Sequence, residues 1–418
     1  MYALVDANSF YASAEEVFDP TIRGKPVVVL TNNDGCICAM SASAKRLGIK
    51  SFSPYFQVKD LLHEAGAIIR SSNYALYADL SRRVFEVTGR YAQQHVYSVD
   101  EAFLKFSNQH SSSTAWFDIA QDIKHTVWLE TRIPVGVGMA NTPTLAKAAS
   151  FAGKRFDKFN GIAVLDSPEQ VHYVLSNMQC SDVWGVGKRI AARLHKMGIY
   201  SALELAQYPP AQIRKAFSVE LERTVRELNG TVCFSWNDVK ADKQQVFASR
   251  SFGERVDKLE ILNEAISFHA QRVGRKLRQQ GSVTRKISVS AQSSPMQPNH
   301  YKRNVVRQFI TPTNDDRKLV GAAISAMAEI YCEGVSFLKC SIGAIEIEPE
   351  ASMQCDLFSS NDKDSALMSC LDAINAKFGN HSLKVASQGI SDKRWQMNRK
   401  YLSPEYTTKW GDIPKFTC

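Results

Sequence analysis

No apolar run in the 418 residues approaches the length of about 20 that a bilayer-spanning helix requires, so no membrane span is expected. A basic leader segment is also missing. Asp6 interrupts the apolar run Met1 to Val5, so a secretory signal is not expected and the cytoplasm is the expected compartment. The nine cysteines are odd in number and scattered, with only Cys36 and Cys38 close together. That argues for free thiols in a reducing cytosol, and no zinc spacing is present. No G-x-x-x-x-G-K-[ST] string exists, so a bound triphosphate would have to be held by side chains and metal, not by a phosphate loop. Gly136-Val137-Gly138 fails as a dinucleotide fingerprint: Asn141 stands where a third glycine is needed, and Pro143 follows. No internal repeat is present.

Charge is present, and it is regional. The net charge is +9, and between Lys243 and Arg307 thirteen Lys/Arg face four Asp/Glu, an excess of nine that equals the whole chain's. A concentrated basic segment suits a polyanion, nucleic acid first, although a solvated basic face is the plainer alternative.

Hydrophobic patterning divides the chain, whose length calls for several domains. Up to residue 165, strand-like stretches (Tyr2 to Val5, Pro26 to Thr31, Phe103 to Phe106, Ile133 to Met139, Gly161 to Leu165) alternate with helical spacing at Tyr74 to Val87, Ala115 to Leu129 and Thr144 to Phe151. From Val183 to Leu228 short helices broken by glycine suggest a small helical domain. A helix at Leu259 to Gln279 and strand-like Lys286 to Ala291, Val305 to Thr311 and Ser336 to Glu346 follow, then a polar linker at Ser359 to Asp364. The expected class is α+β and multidomain.

Three carboxylates stand out. Asp6 ends the first apolar run, and Asp100 and Glu101 lie in Tyr97-Ser98-Val99-Asp100-Glu101-Ala102-Phe103, where a polar break meets a strand-like stretch. If the two stretches are neighbours in one sheet, the carboxylates converge. Clustered carboxylates repel, and a hard divalent cation such as Mg²⁺ relieves them; two such ions can clamp a phosphoryl transfer. Ser98 and Glu101 also fit a capping box, so a purely local role stays open. Candidate triphosphate ligands are Lys45, Arg46, Lys147, Lys154 and Arg155. Val183-Trp184-Gly185-Val186-Gly187 has the form of a helix-hairpin-helix, whose glycines let backbone N–H groups approach a phosphate; a plain helical hairpin is the alternative.

Taken in order, Asp6, Asn8-Ser9-Phe10-Tyr11-Ala12-Ser13, the Tyr97 to Glu101 motif, the Gly185-Val186-Gly187 hairpin and the later basic region resemble the Y-family translesion DNA polymerases, most closely the UmuC-type catalytic subunits. Longer strings carry the likeness: Gly24-Lys25-Pro26-Val27-Val28-Val29-Leu30, Asn32-Asn33-Asp34-Gly35-Cys36, Ser72-Asn73-Tyr74, Leu221-Glu222-Arg223-Thr224-Val225-Arg226-Glu227-Leu228, Ser249-Arg250-Ser251-Phe252-Gly253-Glu254 and Leu402-Ser403-Pro404.

The resemblance implies a right hand: palm (1–20 and 75–166), fingers (21–74), thumb with helix-hairpin-helix (167–236), little finger (243–350) and a C-terminal regulatory and clamp-binding tail (351–418). It implies that Asp6, Asp100 and Glu101, with the Ala7 carbonyl, hold two Mg²⁺ ions, and that deoxynucleoside triphosphates are the substrates. Tyr11 falls at the steric gate under the sugar, and Lys45 and Lys154 at the triphosphate. Met40 and Ser43 depart from the basic residue and glutamate common in the fingers helix. Asp34-Gly35-Cys36-Ile37 would form a shallow roof over the templating base, implying low fidelity without proofreading. Gly185 and Gly187 would grip DNA, as would Arg250, Arg275, Lys276, Arg285, Lys286, Arg303 and Arg307. Gln354, Leu357 and Phe358 resemble a sliding-clamp peptide, from which Asp356 departs. The last segment implies a processed UmuD-type dimer and a RecA filament as partners, and a role in the SOS response. Against this stand a non-catalytic DNA-binding scaffold, which has no need of three clustered carboxylates, and a nucleotidyl cyclase, which leaves the DNA-gripping regions without a role.

Overall fold

The computed structural model describes residues 1–107, 113–234, 242–352, 362–379, 382–389 and 395–413. The chain divides into two compact units, one of Met1–Thr31, Gly35–Asp238 and Tyr401–Cys418, the other of Asn32–Asp34 and Val239–Lys400.

The first unit opens with β1 (Tyr2–Ala7), six buried residues in succession, the mark of a strand covered on both faces. After α1 (Phe10–Phe18) come β2 (Val27–Leu30), β3 (Ile37–Met40), α2 (Ala42–Lys45), α3 (Tyr55–Glu64) and β4 (Ile68–Ser71). These strands form a separate sheet in the order β3-β2-β4. Next are α4 (Tyr74–Thr88), β5 (Gln93–Val96), β6 (Glu101–Lys105), α5 (Ser113–Thr131), β7 (Val135–Ala140), α6 (Pro143–Arg155) and β8 (Ile162–Leu165). The main sheet runs β5-β6-β1-β7-β8, with β1 central and antiparallel to both neighbours. Alternation along β1 sends Ala3 and Val5 into a core with α1, α4 and α5, and Tyr2 and Leu4 into another with α6. The second core continues into α7 (Pro168–Ser176), α8 (Lys188–Lys196), α9 (Ala202–Gln207), α10 (Pro210–Ala216) and α11 (Val219–Leu228), where Val174, Leu194, Leu205, Ile213 and Val225 are buried.

Helix α6 extends four residues beyond the expected Phe151, and that extra turn carries Lys154 and Arg155. Strands β3 and β5 and helix α3 carry no periodic signal strong enough to stand out; β5 reads Gln93-Gln94-His95-Val96 and lies at the sheet edge.

The second unit contains β9 (Val246–Val256), α12 (Leu259–Gln279), β10 (Ser282–Gln292), β11 (Lys302–Thr313), α13 (Asp316–Ile330) and β12 (Phe337–Pro349), followed by α14 (Asp362–Phe378). Its antiparallel sheet runs β11-β10-β12-β9. Ile287, Val289 and Ala291 are buried in a core with Ile266, Val273, Leu319 and Met327 of α12 and α13. Arg278 joins α12 to Asp316 of α13 and Asp372 of α14, each at 2.7 Å. The bounds of α12 match the expected Leu259 to Gln279. Strand β9 and helix α13 were not expected: β9 mixes serine and arginine into its alternation, and small Ala and Gly residues dilute the apolar stripe of α13.

Candidate active site

Register brings the carboxylates together. Asp6 on β1 lies directly opposite Glu101, the first residue of β6, and the Ala7 N–H donates to the Asp100 carbonyl at 2.8 Å. A tight turn precedes β6: the Tyr97 and Ser98 N–H groups both donate to the Glu101 carbonyl. Ser98 Oγ accepts from the N–H of Asp100 (3.3 Å) and of Glu101 (3.1 Å) and donates to Asp100 Oδ1 (2.5 Å). Only half of a capping box forms, in a strand-opening turn with no helix after it: Ser98 Oγ accepts from the Glu101 N–H, but the Ser98 N–H goes to the Glu101 backbone carbonyl and not to its side chain.

Both facing carboxylates are held by lysines of α6. Lys154 pairs with Asp6, and Lys147 pairs with Glu101 at 2.9 Å. Burial pushes the Asp6 carboxyl up to about 6; Lys154 pulls it down, while the Glu101 and Asp100 charges push further up. Among the described residues no three Asp, Glu, His or Cys side chains converge as placed into an ion site. The donors nonetheless suit a hard divalent cation: carboxylate oxygens on adjacent strands, beside a backbone carbonyl at Ala7, with their repulsion only partly offset by lysine.

Beside this edge lies a cleft of about 510 Å³ lined by Asn8, Ser9, Lys45, Lys124, Lys154 and Gly161. Lys45 Nζ donates to Ser9 Oγ at 2.8 Å, and burial, then Lys154 and Arg155, lower its pKa. Lys124, which reaches the Asn160 carbonyl at 2.9 Å, escapes the sequence reading because it lies on α5, distant in sequence from the others. A cleft with three ammonium groups suits a polyphosphate.

Tyr11, at the start of α1, stacks on Tyr77 with centroids 4.4 Å apart and planes 17° from parallel. Trp184, also missed, donates to Tyr97 Oη at 3.1 Å, and the Tyr97 ring lies 4.5 Å from Lys147 Nζ. The hairpin segment around Trp184 is therefore linked to the Glu101 partner. Gly185 has φ +89°, which favours glycine, and Gly187 opens α8. The element before this hairpin is a single 3₁₀ turn, Cys180–Asp182.

In the second unit, register sorts the basic residues by face. Arg250, Arg303 and Arg307 lie opposite buried Cys340, Ala291 and Ile287, so they share the helix-covered face. There Arg307 pairs with Glu329, and Arg303 donates to the Glu329 carbonyl at 2.6 Å. Lys286 shares the opposite face with Ser288 and Ser290 of β10, Lys302 of β11, Lys339 and Ser341 of β12, and Ser249 of β9. Lys286 pairs with Glu346 at 2.6 Å and Arg285 with Glu348 at 3.1 Å, while Lys276 on α12 reaches the Phe247 carbonyl at 3.3 Å. Arg275 is also on α12. Gln354, Leu357 and Phe358 lie outside the described residues.

Residues 5–151 match the model of the impB/mucB/samB family, residues 243–357 match that family's C-terminal domain, and residues 365–415 match a domain of unknown function, DUF4113. The chain is 41% identical to protein SamB and 40% identical to protein UmuC, both of Salmonella typhimurium, each over 99% of both chains. DNA polymerase IV of Bacillus anthracis is 27% identical over 96% of both chains. Among solved structures, a Y-family DNA polymerase chimera of Dbh and Dpo4 superposes with TM-score 0.65 at 20% identity, covering 83% of this chain and 98% of that one. An insertion ternary complex of Dbh DNA polymerase gives 0.53 at the same identity and coverage. With full-length relatives at this identity and a shared architecture, the chain belongs to the impB/mucB/samB family and is built on the fold of the Y-family DNA polymerases.

Proposed function

We propose that the chain is the catalytic subunit of an error-prone, UmuC-type translesion DNA polymerase, acting in the cytoplasm in the SOS response to DNA damage. The observation that carries this reading is the register of Asp6 against Glu101, with Asp100 in the adjoining turn, beside a lysine-lined cleft. The five-stranded sheet acts as palm, the three-stranded sheet as fingers, α7–α11 as thumb, and the β9–β12 sheet with α12 and α13 as little finger.

Asp6, Asp100, Glu101 and the Ala7 carbonyl would hold two magnesium ions, which when bound would supply Lewis acidity toward the primer 3′-hydroxyl and positive charge against the triphosphate. Lys45, Lys124 and Lys154 bind the incoming triphosphate. Lys154 exchanges its pairing with Asp6 for a phosphate, which frees a carboxylate oxygen as the substrate arrives. Tyr11, backed by Tyr77, excludes a ribose 2′-hydroxyl by shape. The Lys286, Lys302 and Lys339 face, with its serines, follows the DNA backbone without reading sequence, and Gly185 and Gly187 present N–H groups to a phosphate. Gln354, Leu357 and Phe358 dock on the sliding clamp, and a UmuD-type dimer and RecA filament activate synthesis. No helix of the described residues is long and apolar enough to cross a membrane.

The test is primer extension over an abasic template with Mg²⁺, deoxynucleotides, clamp, UmuD-type dimer and RecA filament. Extension by the wild type and none by Asp100→Ala, with DNA binding intact in both, supports the reading. Extension by both proteins removes Asp100 from the site, and extension by neither favours a scaffold.

A further inference from the structure

Glu15 lies one turn after Tyr11 on α1 and is 1% exposed. A buried carboxylate needs partners. It has two hydroxyl donors on one oxygen, Tyr77 Oη at 2.6 Å and Ser403 Oγ at 3.1 Å, with Arg70 Nε 3.6 Å from the other oxygen. The first donor belongs to the ring on which Tyr11 stacks. The second comes from the C-terminal segment, 388 residues along the chain from Glu15.

That segment is seated firmly. Leu402 bridges in parallel to Ser71 at the end of β4; the Ser71 N–H donates to the Tyr401 carbonyl at 2.9 Å, and the Tyr401 N–H to Ser71 Oγ at 3.0 Å. Asn73, whose Oδ1 caps α4 by accepting from the Leu76 N–H, donates its amide to Ser403 Oγ (3.0 Å), the Ser403 carbonyl (3.3 Å) and the Pro404 carbonyl (3.2 Å). Tyr406 stacks on Phe18 at the far end of α1, with centroids 5.0 Å apart. The segment therefore holds both ends of the Tyr11–Tyr77 pair, through α1 at Glu15 and Phe18 and through α4 at Asn73. Its residues fall within the stretch that matches DUF4113, a domain of unknown function.

We propose that the Tyr401–Tyr406 segment is a positioning element of the nucleotide pocket: Ser403 fixes buried Glu15, Glu15 fixes the Tyr77 hydroxyl, and the Tyr77 ring sets the plane of Tyr11. This rests on the reading of Tyr11 as the sugar gate. Without the Ser403 hydroxyl, Glu15 keeps one hydroxyl donor in place of two, and Asn73 loses the atom through which it links α4 to α1. The Tyr11 ring then gains freedom to yield to a 2′-hydroxyl. Ribonucleotide insertion should rise while deoxynucleotide insertion holds nearly steady, because the gate touches the sugar only where the extra oxygen would be.

The experiment is single-nucleotide insertion by the full chain with its partners, measuring kcat/KM for matched ribo- and deoxynucleotides, with thermal melting of each variant. Tyr11→Ala should raise the ribo-to-deoxy ratio most. Ser403→Ala and Tyr77→Phe should each raise it about three- to ten-fold, the range expected for one lost hydrogen bond, and Ser403→Thr should restore the wild-type ratio. Tyr77→Phe keeps the ring, so it stands as the test even if Ser403→Ala melts early. An unchanged ratio in Ser403→Ala and Tyr77→Phe, or an equal loss with both sugars, while Tyr11→Ala raises the ratio, overturns the coupling and leaves the gate intact. An unchanged ratio in Tyr11→Ala removes the gate itself, and the coupling with it.

Discussion

Gly138→Ala adds a single methyl group at the place where the sheet and α6 approach most closely. A Cβ at Gly138 would lie 2.1 Å from the Ser150 N, 2.6 Å from the Ala146 carbonyl oxygen and 2.7 Å from the Ser150 Cα. All three are backbone atoms, so no side chain can turn aside. Restoring an ordinary separation of about 3.6 Å requires β7 and α6 to part by about 1.5 Å. Overpacking of this kind costs about 1–3 kcal/mol, here toward the upper end, which lowers Tm by about 5–10 °C for a unit of this size. The functional loss should be larger than the stability loss. Lys147 and Lys154 lie on either side of Ser150 on α6 and reach Glu101 and Asp6, and a displacement of about 1 Å at an active site can cost on the order of 100-fold. Single-nucleotide insertion and thermal melting check both figures. Gly321→Ala is the control, because a Cβ there meets nothing within 4 Å and the residue lies inside α13; it should be neutral or slightly stabilising. A Gly138→Ala protein with wild-type melting and insertion would refute the argument.

His269 predicts a pH effect on the second unit. It is fully buried, neither ring nitrogen has a hydrogen-bond partner, and burial, reinforced by Arg272 and Arg250, holds its pKa down at about 3. Below about pH 6.5 the unfolded chain takes up a proton that the folded chain refuses, so stability is full at neutral pH and falls on acidification, by about 2–3 kcal/mol at pH 4.5. Denaturant titrations across this range should show the slope in the wild type and a flatter one in His269→Leu. Lys45→Ala and Lys154→Ala should each lower kcat/KM for deoxynucleotides about 10- to 100-fold, the worth of a charge-assisted hydrogen bond to phosphate; unchanged kinetics would take the triphosphate out of that cleft. Replacing Lys286, Lys302 and Lys339 together with alanine should reduce the salt slope of DNA binding by about 2–3, whereas Arg303→Ala and Arg307→Ala, on the helix-covered face, should leave it nearly unaltered. The reverse result would put the DNA on the other side of the sheet.

Much of the site was legible because its signals are local. Asp6 and Asp100-Glu101 each mark where an apolar strand meets a polar break, and the antiparallel register of β1 and β6 follows from two strands whose buried faces must match. What the sequence could not show was which cation meets which carboxylate. Lys147 and Lys154 are seven residues apart on α6, and only the packing of that helix on β7, permitted by Gly138, aims one at Glu101 and the other at Asp6. The Gly136-Val137-Gly138 string that imitates a nucleotide fingerprint is thus explained by close packing. Arg303 and Arg307 show a second limit. Their charge is plain in sequence, but the face they occupy depends on strand register with β10, and one step of register exchanges the two faces. Ser403 shows a third, since nothing local connects it to Glu15.

The strand edge of Asp6, Asp100 and Glu101 should hold two divalent ions once DNA and nucleotide are present. The most direct test is Mn²⁺ binding followed by electron paramagnetic resonance, using the full chain with primer-template and a non-hydrolysable deoxynucleotide. The wild-type chain should bind two spin-coupled ions, consistent with a separation of about 3.5–4 Å, and Asp6→Asn should lose the coupled pair. No bound pair in the wild type, or an identical signal in Asp6→Asn, would contradict it.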